Sequence, residues 1–221
     1  MRSFQEIYSI AADRKGGAEA LEALLITPLS RDELSATSDD RWLSAMAKCL
    51  FQAGFNWKVI EAKWAGMEEA FDGFDPVKVA AYRDDDFDRL LSDKRIVRNG
   101  AKVAAVIENA HFINELASRN GSAGSFFGSW PNEKYVELLA LMSKRGVRLG
   151  SITGQRVLRT MGRDSFILTS DVVARLVAEN IVDKTPTSKR DLAATQEAFN
   201  IWSLQSGRGL SQISQVLAFS V

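Results

Sequence analysis

The chain of 221 residues contains one cysteine, Cys49, and one histidine, His111. An internal disulfide is therefore excluded, as is any four-cysteine iron–sulfur or zinc site. A conventional zinc site would also lack its nitrogen ligands. No apolar run approaches the ~20 residues that a bilayer span requires. The opening MRSFQEIYSIAADRKGG lacks the apolar core of a signal peptide. These absences predict a soluble, cytoplasmic protein with no membrane contact. Net charge is missing too, because 28 basic residues face 28 acidic ones. That weighs weakly against nucleic acid as a partner.

What is present points the other way. Hydrophobic residues make up 46% of the chain, enough for a substantial core as one unit or two small lobes. The charge is unevenly spread. Residues 61–93 hold ten acids and four bases, whereas 138–163 hold Lys144, Arg145, Arg148, Arg156, Arg159 and Arg163 and no acid. Phosphate affinity depends on the local field, so this stripe is either a phosphate-binding surface or a solvated helix face.

Apolar residues recur at three- and four-residue spacing in DDRWLSAMAKCLFQAG, WKVIEAKWAGMEEAF, DFDRLLSD and AKVAAVIENAHFINELASR. No run alternates at period two for long. The spacing predicts an all-α protein of about ten helices. At Phe74-Asp75-Pro76, Asp75 is expected to cap a helix and Pro76 to take its first position. Residues 119–133, RNGSAGSFFGSWPNE, and 183–191, DKTPTSKRD, read as breaks.

Residues 147–177, VRLGSITGQRVLRTMGRDSFILTSDVVARLV, carry the most chemistry. A turn through Gly150 and Gly154 is expected to join a helix ending near Arg148 to one beginning near Gln155. The glycines would allow positive φ and close backbone approach. Amides of 152–156 would be donors at a helix N-terminus, where an anion is favoured. The alternative is an ordinary helix–helix turn. Asp171 follows Gly154 by 17 residues and precedes an apolar helical run. It is expected to cap that helix. An ionised carboxylate there could also stabilise cationic character on a sugar or orient a water.

The order of these parts resembles the helix-hairpin-helix DNA glycosylase superfamily. Leu149-Gly150-Ser151-Ile152-Thr153-Gly154-Gln155-Arg156-Val157 stands where those enzymes carry their hairpin, and Asp171 where they carry a catalytic aspartate. Residues 51–110 are similar to the 3-methyladenine DNA glycosylase I family. The matching residues are Gln52, Ala53, Gly54, Trp57, Phe74, Asp75, Pro76, Val79, Ala80, Arg98, Lys102, Asn109 and Ala110. The resemblance implies two helical lobes, one spanning 40–163 and one combining 1–39 with 164–221, with Asp171 at the mouth of a cleft.

Several departures qualify it. That family's zinc ligands are absent, and Cys49 stands where its base-holding glutamate is found. A thiol cannot replace a carboxylate as acceptor for a cationic purine. Superfamily members that cut the backbone use a hairpin lysine, and no lysine occurs between Lys144 and Lys184. The implied activity is excision of a damaged, alkylated purine from duplex DNA without strand cleavage. It would be carried out by a monomer with no metal or organic cofactor, nucleoid-associated in a bacterium. The rival reading is a non-catalytic lesion-binding protein on the same fold.

Individual residues have two readings each. Trp57 would stack on an extruded base, or pack in the core. Phe55 would fill the vacated stack, or pack likewise. Gln52, Cys49 and Trp42 are further pocket candidates, with Cys49 otherwise a small buried hydrophobe. Gly150, Ile152, Thr153, Gly154, Gln155, Arg156, Lys144, Arg145, Arg148 and Lys102 are the candidate DNA contacts.

Overall fold

The computed structural model describes the backbone of residues 1–221 and every side chain except that of Ser151. In chain order the helices are α1 (Phe4–Lys15), α2 (Ala18–Glu22), α3 (Arg31–Ala36), α4 (Asp39–Gln52), α5 (Trp57–Ala70), α6 (Pro76–Ala80), α7 (Asp84–Ser92), α8 (Gly100–Asn120), α9 (Ala123–Ser129), α10 (Tyr135–Arg145), α11 (Ser151–Thr160), α12 (Ser170–Ala178), α13 (Lys189–Ser206) and α14 (Leu210–Phe219). The all-α expectation is met, with no strand among the described residues. Fourteen helices replace the ten expected, because several are only five to seven residues long and show too little periodicity to count from sequence. No described helix is long and apolar enough to cross a membrane.

Contacts divide the chain into two compact units. One comprises 30–129 and 139–161, the other 1–29, 130–138 and 162–221. Residues 30–39 thus go with the larger unit and 130–138 with the smaller, unlike the lobes drawn at 40 and 163 from sequence.

In the larger unit α4 is the central element. Trp42, Leu43, Met46, Ala47, Leu50 and Phe51 are buried, and α5, α8, α9 and α11 pack around the helix. Each large side chain so buried contributes roughly 1.5–3 kcal/mol. Asp75 accepts from the amides of Val77 and Lys78 and Pro76 opens α6, as the sequence indicates.

The expected break at 119–133 is mostly helix α9. Gly121, at φ 84°, ends α8, and the Ser122 hydroxyl accepts from the Ser125 amide to start α9. The glycines inside α9 serve close packing. A Cβ on Gly124 would lie 2.1 Å from the Leu34 carbonyl oxygen, and one on Gly128 3.1 Å from the Leu34 Cβ. Spaced four apart, they form the smooth face against which α3 lies.

In the smaller unit α1, α12 and α13 pack against α14. The rings of Tyr135, Phe166, Phe199 and Trp202 touch in succession through its core. Buried polar groups lock the chain around them. Asp164 accepts from Asn132 and from the amides of Leu210 and Ser211, capping α14. Arg175 donates to Glu179 and to both the hydroxyl and the carbonyl of Ser220, and Glu179 also accepts from the amide and guanidinium of Arg2.

Candidate nucleic-acid interface and base-stacking site

The hairpin sits in the larger unit, between α10 and α11, and its geometry departs from the expectation. Helix α10 stops at Arg145, three residues early, and α11 starts at Ser151. The positive φ falls on Arg148 (59°), while Gly150 is extended at φ −76°. The hairpin glycines provide room instead. A Cβ on Gly150 would lie 3.0 Å from Ser143 Oγ, and one on Gly154 2.5 Å from the Leu149 carbonyl oxygen. The turn is held from below by Asn109 of α8. Its side-chain amide donates to the Val147 carbonyl at 3.1 Å and accepts from the Val147 amide at 2.8 Å. Because α11 begins at residue 151, the amides without helical partners are those of 150–152, not 152–156. The Thr153 amide turns towards the Gly150 carbonyl at 3.3 Å.

The basic stripe divides into groups with different jobs. Lys144 and Arg148 are exposed beside the hairpin. Arg145 is exposed as well, but it pairs with Glu115. Arg163 is buried in the smaller unit and donates to Asn132 and to the carbonyls of Trp130 and Asp164. Gln155 is 5% exposed and turned inward, which removes it from the surface the sequence assigned it to. Ile152 and Thr153 are partly exposed and Gly154 is buried.

Lys102 is a further correction. Its ammonium is buried and donates to the carbonyls of Phe51 at 3.0 Å and Ala53 at 2.7 Å. It caps the C-terminal end of α4, where orphan carbonyls and the helix dipole favour a cation. Burial, helped by nearby Arg148, pulls its pKa down. It therefore presents no outward charge to a phosphate.

That cap fixes the turn after α4. Gly54, at φ 76°, is a position where a side chain would be strained. Asn56 then accepts from the Lys58 amide and starts α5. Between them the chain presents Phe55, 39% exposed, and Trp57, 50% exposed. Two exposed aromatic rings within three residues are not core packing. Lys102 Nζ lies 4.3 Å from the Phe55 ring centre and the Arg156 guanidinium 5.2 Å from that of Trp57. Arg156 thus joins this aromatic surface rather than the first turn of the hairpin helix.

The other pocket candidates lie as follows. Gln52 donates to Glu61, which also pairs with Lys48 at 2.8 Å. Cys49 is buried, with Sγ 3.9 Å from Thr160 Oγ1. Burial pushes its thiol pKa up, against opposing pulls from Thr160, Arg156 and Lys48. A thiol so raised is a poor nucleophile. Trp42 is corrected to core: it is fully buried and stacked on Phe127 at 4.5 Å. Its ring is unavailable to an extruded base.

Asp171 is exposed in the first turn of α12 in the smaller unit, but it does not cap. Thr169 is the cap, accepting from the Val172 amide, and Asp171 accepts a 3.3 Å bond from Ser170. Its carboxylate is not committed to the helix backbone. No group of three or more His, Cys, Asp or Glu side chains that could hold a metal ion is found among the described residues, and the one cysteine is enclosed in α4.

Sequence analysis missed the Asn109 clasp, the Lys102 cap and the Arg156–Trp57 contact. Asn109 and Lys102 did stand out as matched positions, though nothing in their spacing showed what they hold.

The family model for methyladenine glycosylase matches residues 35–175, more than half of the chain, and the protein belongs to that family. DNA-3-methyladenine glycosylase 1 of Escherichia coli (strain K12) is 34% identical over 83 residues, 38% of this chain and 44% of that protein. The Haemophilus influenzae DNA-3-methyladenine glycosylase is 30% identical over 85 residues, covering 46% of its length. The chain thus spans less than half the length of these curated relatives. Among solved structures, 3-methyladenine DNA glycosylase I from Staphylococcus aureus superposes with TM-score 0.52 at 22% identity, over 66% of this chain and 84% of that one. The Methanocaldococcus jannaschii 8-oxoguanine DNA glycosylase superposes with TM-score 0.54 at 14% identity, over 95% of this chain and 90% of that one. The fold is that of the helical, helix-hairpin-helix DNA glycosylases.

Proposed function

We propose that this protein is a monofunctional DNA glycosylase that hydrolyses the N-glycosidic bond of a damaged purine in duplex DNA, the alkylated class being the one its family suggests. The observation that carries the reading is the exposed Phe55–Trp57 pair, raised on a capped turn in the same unit as the hairpin. Extruding a base costs a few kcal/mol, least for a damaged one. An aromatic stack for the base and an apolar plug for the duplex offset that cost. The hairpin amides of 150–152, with Lys144 and Arg148, bind a backbone phosphate. Asp171 acts on the sugar, stabilising the developing cation or orienting the attacking water. No lysine occupies the hairpin, so no Schiff base forms there and the strand stays intact.

Buried, uncharged Cys49 favours a second reading, lesion binding without chemistry. A screen of duplexes carrying methylated, deaminated and oxidised bases separates the two. Release of a free base with an intact abasic strand is the expected result. Tight lesion binding with no base released would leave the second reading standing.

A further inference from the structure

Within the glycosylase reading, on which this inference rests, we propose that Arg156 determines lesion class. It selects an uncharged base over one carrying a formal positive charge, so that of the alkylated class only uncharged members are favoured. The guanidinium lies 5.2 Å from the centre of the half-exposed Trp57 ring. A base stacking on that face meets the guanidinium directly. A base on the other face still lies within the Debye length of about 10 Å at ordinary salt.

No acid among the described residues is paired with this charge beside Trp57. Among the described residues neither Arg148 nor Arg156 is ion-paired, whereas Lys48 is matched by Glu61 and Arg145 by Glu115. Cys49 offers no compensating negative charge, since burial favours its neutral form, and the charges that act on its thiol are those of Arg156 and Lys48. A guanidinium has five N–H donors and no acceptor. It can bond a carbonyl oxygen or a ring nitrogen lone pair on either kind of base, but its charge opposes one that is cationic. Arg156 is therefore a specificity residue, acting on the base through its charge.

The test compares wild type with Arg156→Gln and Arg156→Lys. Single-turnover base release is measured on duplexes holding 7-methylguanine (cationic), hypoxanthine or 8-oxoguanine (both uncharged), or undamaged guanine. Equilibrium binding to each is measured with Asp171→Asn in every background. Wild type should process its preferred uncharged lesion at least about tenfold faster than 7-methylguanine, equivalent to 1.4 kcal/mol. Arg156→Gln should collapse that ratio, and Arg156→Lys should restore part of it. Affinity for undamaged duplex serves as the reference for general loss of DNA contact. Faster release of 7-methylguanine by wild type, or a ratio unaltered in Arg156→Gln, would overturn the inference while leaving the glycosylase reading intact. Should no duplex release a base, that reading falls, and the binding ratio decides the inference. A preference for uncharged lesions that disappears in Arg156→Gln supports it, and equal affinities overturn it.

Discussion

Two arginines of the smaller unit and two of the larger are used in opposite ways. In the smaller unit Arg163 and Arg175 are buried, and their guanidinium groups are spent on carbonyls, Asn132, Glu179 and Ser220. In the larger unit Arg148 and Arg156 stand beside exposed aromatic and backbone groups with no acid paired to them. Residues 138–163 look like one uniform basic stripe in sequence, yet the fold divides them between the two roles. The difference teaches that a cation's burial and partners, not its place in a run, decide whether it holds the fold or meets a ligand.

The largest effect should come from breaking the structural side. Arg175→Ala leaves Glu179, 2% exposed, without one of its cationic partners and strips two bonds from Ser220. Breaking a buried pair in this way typically costs about 3–5 kcal/mol, to be read as unfolding free energy in urea. The network should also respond to acid. Burial would raise the Glu179 pKa, but the bonds from Arg2 and Arg175 outweigh it and hold the carboxyl below its ordinary 4.5. A depressed folded-state pKa contributes stability that is present above pH 4.5 and is lost as pH falls through the folded value. Arg175→Ala should therefore narrow the stability gap to wild type at low pH.

Next in size is chemistry. Asp171→Asn should slow base release by about two to three orders of magnitude, on the scale of roughly 3–4 kcal/mol for a lost electrostatic stabiliser. Its melting temperature should barely move, because Thr169 and not Asp171 caps α12. Release of an uncharged lesion at the wild-type rate would return Asp171 to an ordinary surface role.

Trp57→Ala tests the aromatic surface. Base–aromatic stacking is worth about 1–3 kcal/mol, so lesion processing should fall by roughly ten- to a hundredfold. Stability should shift little, since the ring is 50% exposed. A large loss of stability alongside activity would make Trp57 a packing residue. The smallest effect should come from the hairpin. Lys144→Glu combined with Arg148→Glu should weaken binding to all duplex sequences alike and flatten the salt slope by about 2, at ~0.9 per phosphate contact. Arg145→Glu should disturb Glu115 as well, so it is the less clean probe.

The elements of the fold were legible because periodic apolar spacing reports helices directly, as in α4, α5 and α8. The segment at 119–133 reads as a break from its glycines and serines, yet most of it is helix. In α9 glycine permits close approach to α3, a property of a contact distant in sequence. The cap of α12 was misplaced by two residues because Thr169, Ser170 and Asp171 can all cap, and only backbone geometry chooses among them. Phe55, Trp57 and the hairpin region were legible as types of residue in a type of turn. The inward turn of Lys102, Gln155 and Trp42 was not, since a side chain's direction depends on neighbours that sequence does not order.

The most direct test of the account is base release by wild-type protein from a lesion-bearing duplex, with the strand analysed before and after alkaline treatment. The account predicts a free damaged base and a strand that stays whole until alkali cleaves it at the abasic site. A strand nicked without alkali, or no base released from any methylated, deaminated or oxidised duplex, would contradict it.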